Sequence, residues 1–346
     1  MIFIRTDSNL TISGGHIVRC LAIAKELMKL GIPVCFLIAD TNPVHILDES
    51  GVPYVILYSN WMDLSIETEQ VRKLLEKENH PVLLIDTYQI TKEYVNKLHP
   101  YCKIAYLGSK QEPLGELDLL INYSSAIDYD FYKNNYDNRT TLLLGPLYTP
   151  LREEFQNIKP MYREQVARIL VTTGNTDRYH MVDTLIRDLY SMTKIKQIKL
   201  DVIVGPMFED KDELHKKYDN DPNVILHDNV KSMAEIMKTC DLAISANGTT
   251  VYELSAVGLP TISFAMVEEQ VKSAKALSDQ GVIDYCGHSY ENPSECVKQI
   301  IKRTLHYLIN NKERIELAKK AHKLIGGNGI HIISKTLCSL QTTAIR

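Results

Sequence analysis

The chain alternates short, strongly apolar segments with stretches of helical periodicity, and this alternation runs through it twice. In the first half the apolar segments are 2–7, 33–40, 53–58, 81–86, 103–108, 118–123 and 141–146. In the second half they are 167–174, 198–206, 223–228, 241–246 and 259–265. Short apolar runs between helical patterns predict parallel strands that helices cover on both faces. We therefore expect an α/β chain of two doubly wound, Rossmann-like domains.

Helical patterns fall between these segments. After the first strand, apolar residues recur at helical spacing from Ile17 to Met28, and the polar face is formed by Arg19, Lys25, Glu26 and Lys29. Gly31 ends this helix. Further helices are expected at 66–77, 233–240, 249–257, 269–279, 293–309 and 312–324.

A stretch with prolines, many charges and no strand period separates the two halves at 147–164. We expect an N-terminal domain at 1–150, a linker at 151–164 and a C-terminal domain at 165–346, whose last helix packs back on the first domain. Ligands of such sheets bind at the carboxyl ends of the strands. Two facing domains therefore predict a ligand cleft between them.

Composition excludes several classes of function. The net charge of −4, from 39 basic and 43 acidic residues, argues against a nucleic-acid partner. No apolar run approaches the ~20 residues that span a bilayer, and the first residues start a strand rather than a signal peptide. The seven cysteines form no CxxC pair, which favours reduced thiols in the cytoplasm. Spacing suggests no metal site and no cofactor.

The segment SANGTTVYE, residues 245–253, is the strongest local signal for a ligand. A buried strand ends there in a small polar turn that opens a helix, whose free N–H groups favour an anion. Asn247 and Gly248 allow the turn, Thr249 and Thr250 add hydroxyls, and Glu253 is placed to accept the hydroxyls of a ribose. The alternative is an ordinary helix start with good capping residues and a surface glutamate.

The segment VTTGNTD, residues 171–177, occupies the equivalent place after the first strand of the second half. Gly174 permits close approach of the backbone, and Asn175 tolerates the left-handed conformation. The alternative is an ordinary strand–helix loop with Thr176 or Asp177 as the N-cap of the following helix.

The segment SGGHIVR, residues 13–19, follows the first strand. Its glycine spacing is not GxGxxG, so a dinucleotide site is disfavoured. His16 stands at a helix start, where the dipole favours a neutral ring that can accept a proton; the alternative is a histidine that caps or packs at a turn. Arg5, Asp7 and Ser8, at the end of the first strand, are expected to face the same cleft.

These motifs resemble the nucleotide-sugar hydrolases of the pseudaminic-acid pathway and their relatives, the spore-coat polysaccharide proteins. The resemblance runs from residue 1 to about 333. Its blocks are RTDSNLTISGGHIVRCLAIAKEL, LLIDTY, DLLIN, PLREEF, LVTTGNTD, SANGTTVYELSAVGLPTISF and EQVKSAKALSDQG. It implies the GT-B architecture, which inverting glycosyltransferases share, and metal-independent hydrolysis of a UDP-sugar by a monomer.

The resemblance also implies a role for each matched residue. His16 would be the general base or would position the water, and Gly14 and Gly15 would let their loop approach the diphosphate. Asn247, Gly248, Thr249 and Thr250 would bind phosphate oxygens, with Glu253 on the ribose. The loop from His227 to Val230 would meet uracil through its backbone, and Gln270 would lie near the sugar.

The chain departs from the family pattern at four places. Gly108-Ser109-Lys110 stands where the family has a pair of aspartates, and Thr87 stands where a histidine is common. Asn175 replaces the second glycine of Gly-Gly-Thr-Asp, and Glu269 replaces an asparagine. Three functions therefore stay open: a UDP-sugar hydrolase, a glycosyltransferase of the same fold, and a nucleotide-sugar-binding protein without catalysis.

Overall fold

The structure, a computed structural model, describes residues 1–9 and 15–341, with the backbone alone for 191–196. Contacts divide the chain into two compact units. Unit 1 comprises Met1–Glu153 and the segment from Asn328 onward, and unit 2 comprises Glu154–Gly327. In the described residues, no helix is long and apolar enough to cross a membrane.

Unit 1 is built on a parallel sheet of seven strands in the order β3-β2-β1-β4-β5-β6-β7. Its strands are β1 (Ile2–Thr6), β2 (Val34–Ile38), β3 (Tyr54–Ile56), β4 (Val82–Asp86), β5 (Lys103–Leu107), β6 (Leu119–Asn122) and β7 (Thr141–Leu144). Helices α1 (Gly15–Lys29), α2 (Val44–Ser50), α3 (Thr68–Leu75) and α4 (Lys92–Leu98) follow β1 to β4 in turn, and α5 (Tyr129–Asn135) follows β6.

Unit 2 is built on a parallel sheet of six strands in the order β10-β9-β8-β11-β12-β13. Its strands are β8 (Arg168–Thr172), β9 (Lys199–Ile203), β10 (Val224–His227), β11 (Leu242–Ala246), β12 (Thr261–Ala265) and β13 (Asp284–His288). Its helices are α6 (Met181–Lys196), α7 (Lys211–Tyr218), α8 (Met233–Thr239), α9 (Thr249–Val257), α10 (Glu269–Asp279), α11 (Pro293–Ile309) and α12 (Asn311–Leu324). A last helix, α13 (Gly329–Gln341), belongs to unit 1 and packs against α1.

The predicted pair of doubly wound sheets is confirmed, because every strand pair in both sheets is parallel. Four short helices, α2, α4, α5 and α7, were not predicted because they have too few turns to show a period. The longer α6 was also missed, and a last helix was expected to pack back on the first domain without the bounds of α13 being predicted. The edge strand β13 was missed because its sequence, DYCGH, contains no apolar run.

Each sheet has one place where the strand order reverses. In unit 1, β1 lies beside β4, and in unit 2, β8 lies beside β11. The loops that leave two such strands diverge to opposite faces of the sheet, and the crevice between them is where open α/β sheets bind ligands. We call these places the unit 1 crevice and the unit 2 crevice.

Candidate functional site

His16 lies in the first turn of α1 at the unit 1 crevice, and its ring is held by Asp86 at the end of β4. Its Nδ1 atom lies 2.6 Å from Asp86 Oδ1. The side chain is almost buried, and the exposed ring of Tyr88 packs against it edge to face, with 4.7 Å between ring centroids. Among the described residues, Nε2 has no hydrogen-bond partner.

Asp86 is buried and gathers donors from three side chains. Arg19 donates from Nε (2.6 Å) and Nη2 (2.5 Å), and the Cys20 thiol donates over 3.2 Å. Burial alone would raise the pKa of Asp86, but the charge of Arg19 and the hydrogen bond from His16 outweigh it, so the pKa is lowered. An ionised carboxylate accepts only, so His16 Nδ1 carries a proton. In the tautomer that this contact selects, Nε2 is the nitrogen that can accept a proton.

The helical pattern had placed Arg19 on a solvated polar face of α1. The structure shows that Arg19 does not lie on such a face. Its side chain is turned to the sheet, where Asp86 binds it and the hydroxyl of Tyr123 accepts a further bond of 3.0 Å. Glu26, another residue of the expected polar face, is also buried and lies 2.7 Å from His331 of α13.

Asp7, at the end of β1, is fixed by a second buried network. The guanidinium of Arg5 binds Asp7 and also Glu67, with Nε 2.5 Å from Glu67 Oε1. The backbone N–H of Ala39 donates to Asp7 over 2.8 Å. Arg5 was expected to face the ligand cleft, but it is fully buried and its guanidinium is bound by these two carboxylates. Its contacts show that it holds Asp7 in place.

Of the two glycines before His16, Gly15 is among the described residues and Gly14 is not. Gly15 begins α1, and open space surrounds the position of a Cβ there. Gly14 lies outside the described residues, so its predicted approach to a diphosphate stays a prediction.

At the unit 2 crevice, the helix start predicted from SANGTTVYE is present with open N–H groups. Helix α9 begins at Thr249 after Gly248, no side chain of the described residues caps it, and no acidic residue stands in its first turn. Gly248 and Thr249 are exposed. An uncapped helix start with this exposure is suited to an anion.

Asn247 shapes the turn before α9. Its backbone N–H donates to Phe264 O over 2.7 Å, and its side-chain Nδ2 donates to Gln270 O over 3.2 Å. That bond fixes the orientation of the amide, and the buried Oδ1 is left with no partner in the described part of the chain. A carbonyl oxygen accepts only from a donor, so Oδ1 suits a ligand hydroxyl and not an ionised phosphate.

The loop after β8 lies beside this turn, since β8 and β11 are neighbours, but it differs in its helix start. Asp177 accepts from the first two N–H groups of α6, Met181 N at 3.0 Å and Val182 N at 2.8 Å. Asp177 therefore satisfies this helix start, as the alternative for VTTGNTD proposed. The left-handed backbone that was expected at Asn175 occurs instead at Gly174, with φ +87°.

The remaining predicted residues of unit 2 lie in α9, at the start of α10 and in the loop after β10. Glu253 lies half-buried one turn into the helix. The side-chain oxygen of Gln270 accepts from Met266 N over 2.8 Å, which fixes the loop before α10. Val230 follows β10 and precedes α8, which packs against α9. His227, at the start of that loop, lies 2.8 Å from Asp201 and is held there.

The structure gives a steric reason for one departure from the family pattern. A Cβ at Gly108 would lie 2.2 Å from the hydroxyl of the buried Tyr106. Tyr106 therefore fills the space that a side chain at position 108 would need. Lys110 nearby is engaged by the carbonyl of Ile90 at 2.7 Å.

Sequence reasoning missed four residues of these sites: Asp86, Arg19, Glu67 and Gly205. The first three act through partners more than sixty residues away in the chain. Gly205 is needed because a Cβ there would lie 2.3 Å from Gly174 O. One signal was available for Asp86, a charged residue that closes an otherwise apolar strand.

A protein-family model matches part of unit 2. Residues 168–326 match the Glycosyltransferase family 28 C-terminal domain.

Three curated relatives have low sequence identity to the chain. An uncharacterized protein of Methanocaldococcus jannaschii is 25% identical over 75% of this chain, which spans only 54% of that relative. The spore coat polysaccharide biosynthesis protein SpsG of Bacillus subtilis is 25% identical over 65% of this chain and 68% of its own length. The UDP-2,4-diacetamido-2,4,6-trideoxy-beta-L-altropyranose hydrolase of Campylobacter jejuni is 24% identical over 81% of this chain and 97% of its own length.

Solved structures agree with the fold. The MurG of Acinetobacter baumannii has a TM-score of 0.65 at 15% identity, with 98% of this chain and 99% of that chain covered. A glycosyltransferase from Rickettsia africae has a TM-score of 0.66 at 12% identity, with 99% of each chain covered. The chain therefore has a GT-B, glycosyltransferase-like fold, and its second unit is similar to a glycosyltransferase family 28 C-terminal domain.

Proposed function

We propose that this protein is a nucleotide-sugar hydrolase that releases UDP and a free amino or acetamido deoxysugar with inversion at the anomeric carbon. The pathway we propose is nonulosonic-acid or surface-polysaccharide biosynthesis. The observation that carries the proposal is the His16–Asp86 pair, with 2.6 Å between Nδ1 and Oδ1 and an open Nε2. The relative from Campylobacter jejuni, named as a UDP-sugar hydrolase, supports the choice of reaction.

In this proposal His16 is the general base. Asp86 orients the ring and keeps the Nδ1 proton, so Nε2 takes a proton from water as the water oxygen attacks the anomeric carbon. The carbon–oxygen bond to the β-phosphate breaks, and its electron pair leaves with UDP. Asp86 also stabilises the imidazolium that forms, because it is an ionised neighbour.

We assign UDP to unit 2. The open helix start at Gly248, Thr249 and Thr250 supports a diphosphate there, since N–H groups and the helix dipole both favour negative charge. Glu253 would accept the ribose hydroxyls, and the backbone near Val230 would contact uracil. Gln270 and the Oδ1 atom of Asn247 would face the sugar.

The experiment is incubation of the purified protein with a panel of UDP-sugars, including the altropyranose derivative named above. We expect release of UDP and of free sugar whose first-formed anomer, seen by proton NMR, is inverted. His16→Ala should lower kcat about 10³-fold, the usual worth of a positioned base, with the Kd for UDP by calorimetry unchanged. Equal turnover by His16→Ala would contradict the catalytic assignment.

A glycosyltransferase is the second candidate, supported by the family 28 match over residues 168–326. It predicts slow release of UDP that accelerates when a sugar or peptidyl acceptor is added. UDP binding without turnover of any donor would instead support a binding protein that has no catalytic activity.

A further inference from the structure

A small cavity adjoins His16 in unit 1. It is lined by Asp7, His16, Trp61, Asp86, Thr87, Tyr88 and Gln89. Its volume, about 10 Å³, is close to the least space that holds one water molecule. Thr87 and Asp7 are buried, and Trp61 is half-buried.

We infer that this cavity seats the attacking water and that Trp61 and Thr87 limit its size, so that water is accepted and a larger alcohol is excluded. The inference rests on the proposed hydrolysis and adds to it the residues that select the nucleophile. Those residues decide between hydrolysis and transfer to an acceptor hydroxyl.

The polar groups around the cavity match the hydrogen-bonding needs of one water. Each oxygen of Asp7 already accepts one bond, from Ala39 N or from Arg5, and a carboxylate oxygen has room for a second. The Thr87 hydroxyl accepts from Gln89 N over 3.2 Å, which leaves its own O–H to donate. Water can therefore donate to Asp7 and His16 Nε2 and accept from Thr87.

This arrangement leaves one lone pair of the water for the reaction. That pair forms the new bond to the anomeric carbon, while the bond from that carbon to the phosphate oxygen breaks. The proton held toward His16 moves to Nε2, and the electron pair of the broken bond leaves with UDP. The buried pairing of Arg5 with Glu67 keeps Asp7 in place throughout.

Two aromatic residues, Trp61 and Tyr88, also line the cavity. Trp61 is the chain's one tryptophan, and the Tyr88 ring stands at 79° to the His16 ring. A methyl group on the nucleophile would have to displace one of these side chains. A pocket rejects one extra carbon by roughly 10–200-fold, which sets the discrimination expected here.

The test is hydrolysis of the UDP-sugar substrate in water that contains methanol, with methyl glycoside and free sugar counted by mass spectrometry. For the wild-type protein, the methyl glycoside fraction of the product should be at least about tenfold lower than the mole fraction of methanol in the solvent. Trp61→Ala and Thr87→Ala, which enlarge the cavity from two sides, should each raise the methyl glycoside fraction. Met62→Ala is the matched control, because Met62 is exposed and does not line the cavity.

The outcomes separate this inference from the proposed function. UDP release by the wild-type protein with methyl glycoside in proportion to methanol overturns the water site and leaves the hydrolase standing. The same conclusion follows if both enlarged variants, still active, make free sugar alone. No UDP release from any donor counts against both.

Discussion

In unit 1 the crevice between β1 and β4 is lined by ionisable side chains that are buried and paired with one another, His16 with Asp86 and Arg5 with Asp7. In unit 2 the crevice between β8 and β11 has an amide, hydroxyls and glycines beside an uncapped helix start, and the buried carboxylate of Asp177 there accepts from the N–H groups of α6. The two sheets reverse strand order in the same way, so topology explains where ligands bind and not which chemistry follows.

The two crevices differ in whether their groups can transfer a proton. Buried, paired groups such as His16 and Asp86 hold a proton at a defined atom, which suits a reaction step. The backbone N–H groups at the start of α9 do not titrate, but they donate hydrogen bonds and so can bind an anion. We therefore expect mutations in the unit 1 crevice to change kcat and mutations in the unit 2 crevice to change the Kd for UDP.

Asp86→Asn should have the largest effect among the tests of this division between kcat effects in the unit 1 crevice and Kd effects in the unit 2 crevice. The amide is uncharged and no longer fixes the proton on Nδ1 of His16, so we expect kcat for UDP release to fall about 10²-fold, within the range for general acid–base groups. The Kd for UDP, measured by calorimetry, should stay the same. Asp137→Asn, an exposed carboxylate of unit 1, is the control and should leave both values unchanged. A rise in Kd that accounts for the lost turnover would break the division.

Gly248→Asp should give the next largest effect, in the opposite parameter. Open space surrounds the Cβ position and φ is −172°, so any residue fits there. The new carboxylate caps α9 and should stabilise unit 2 by about 0.5–1 kcal/mol relative to the Gly248→Ala control. It also takes the N–H groups and repels a phosphate, so the Kd for UDP should rise about tenfold or more. The informative result is a protein that is more stable and binds UDP worse; unchanged affinity would exclude this helix start as the diphosphate site.

Much of this molecule is encoded locally and could be predicted from sequence. Helix α9 has the predicted bounds, Thr249–Val257, because a buried strand, a glycine turn and the C-terminal Gly258 (φ +74°) mark both of its ends. The strands other than β13 were predicted for the same reason, since a strand buried on both faces is a continuous apolar run. The open helix start of the unit 2 crevice belongs to this class.

The unit 1 crevice could not be predicted in the same way, because its pairs depend on the order of strands in space. Arg19 is charged and lies on a helix, so the periodicity placed it with the solvated residues. Only the pairing of β1 with β4 brings Asp86, 67 residues further along, beneath α1. The ion pair of Arg5 with Glu67 has the same origin, across 62 residues. Local patterns contain no information about such partners.

The smallest expected effect concerns the stability of unit 1 at low pH. Arg19 and His16 hold the pKa of Asp86 below its ordinary value, which in an unfolded chain is about 3.9. A carboxyl with a lowered pKa contributes its full stability above about pH 4 and loses it as the pH falls through the folded-state pKa. The free energy of unfolding of the wild-type protein should therefore approach that of Asp86→Asn as the pH falls below 4.

Urea unfolding followed by the fluorescence of Trp61 measures this in unit 1, because Trp61 is the chain's one tryptophan. Asp137 is the matched comparison: Arg139 lowers its pKa as well, mainly through a hydrogen bond, but both side chains are exposed. Solvent screens that pair, so Asp137→Asn should show a much flatter pH dependence relative to the wild-type protein. The opposite result is that the free energy of unfolding, relative to the wild-type protein, changes in parallel for Asp86→Asn and Asp137→Asn from pH 3 to pH 5. Burial would then not distinguish the unit 1 crevice, and its contrast with the unit 2 crevice would depend on residue type alone.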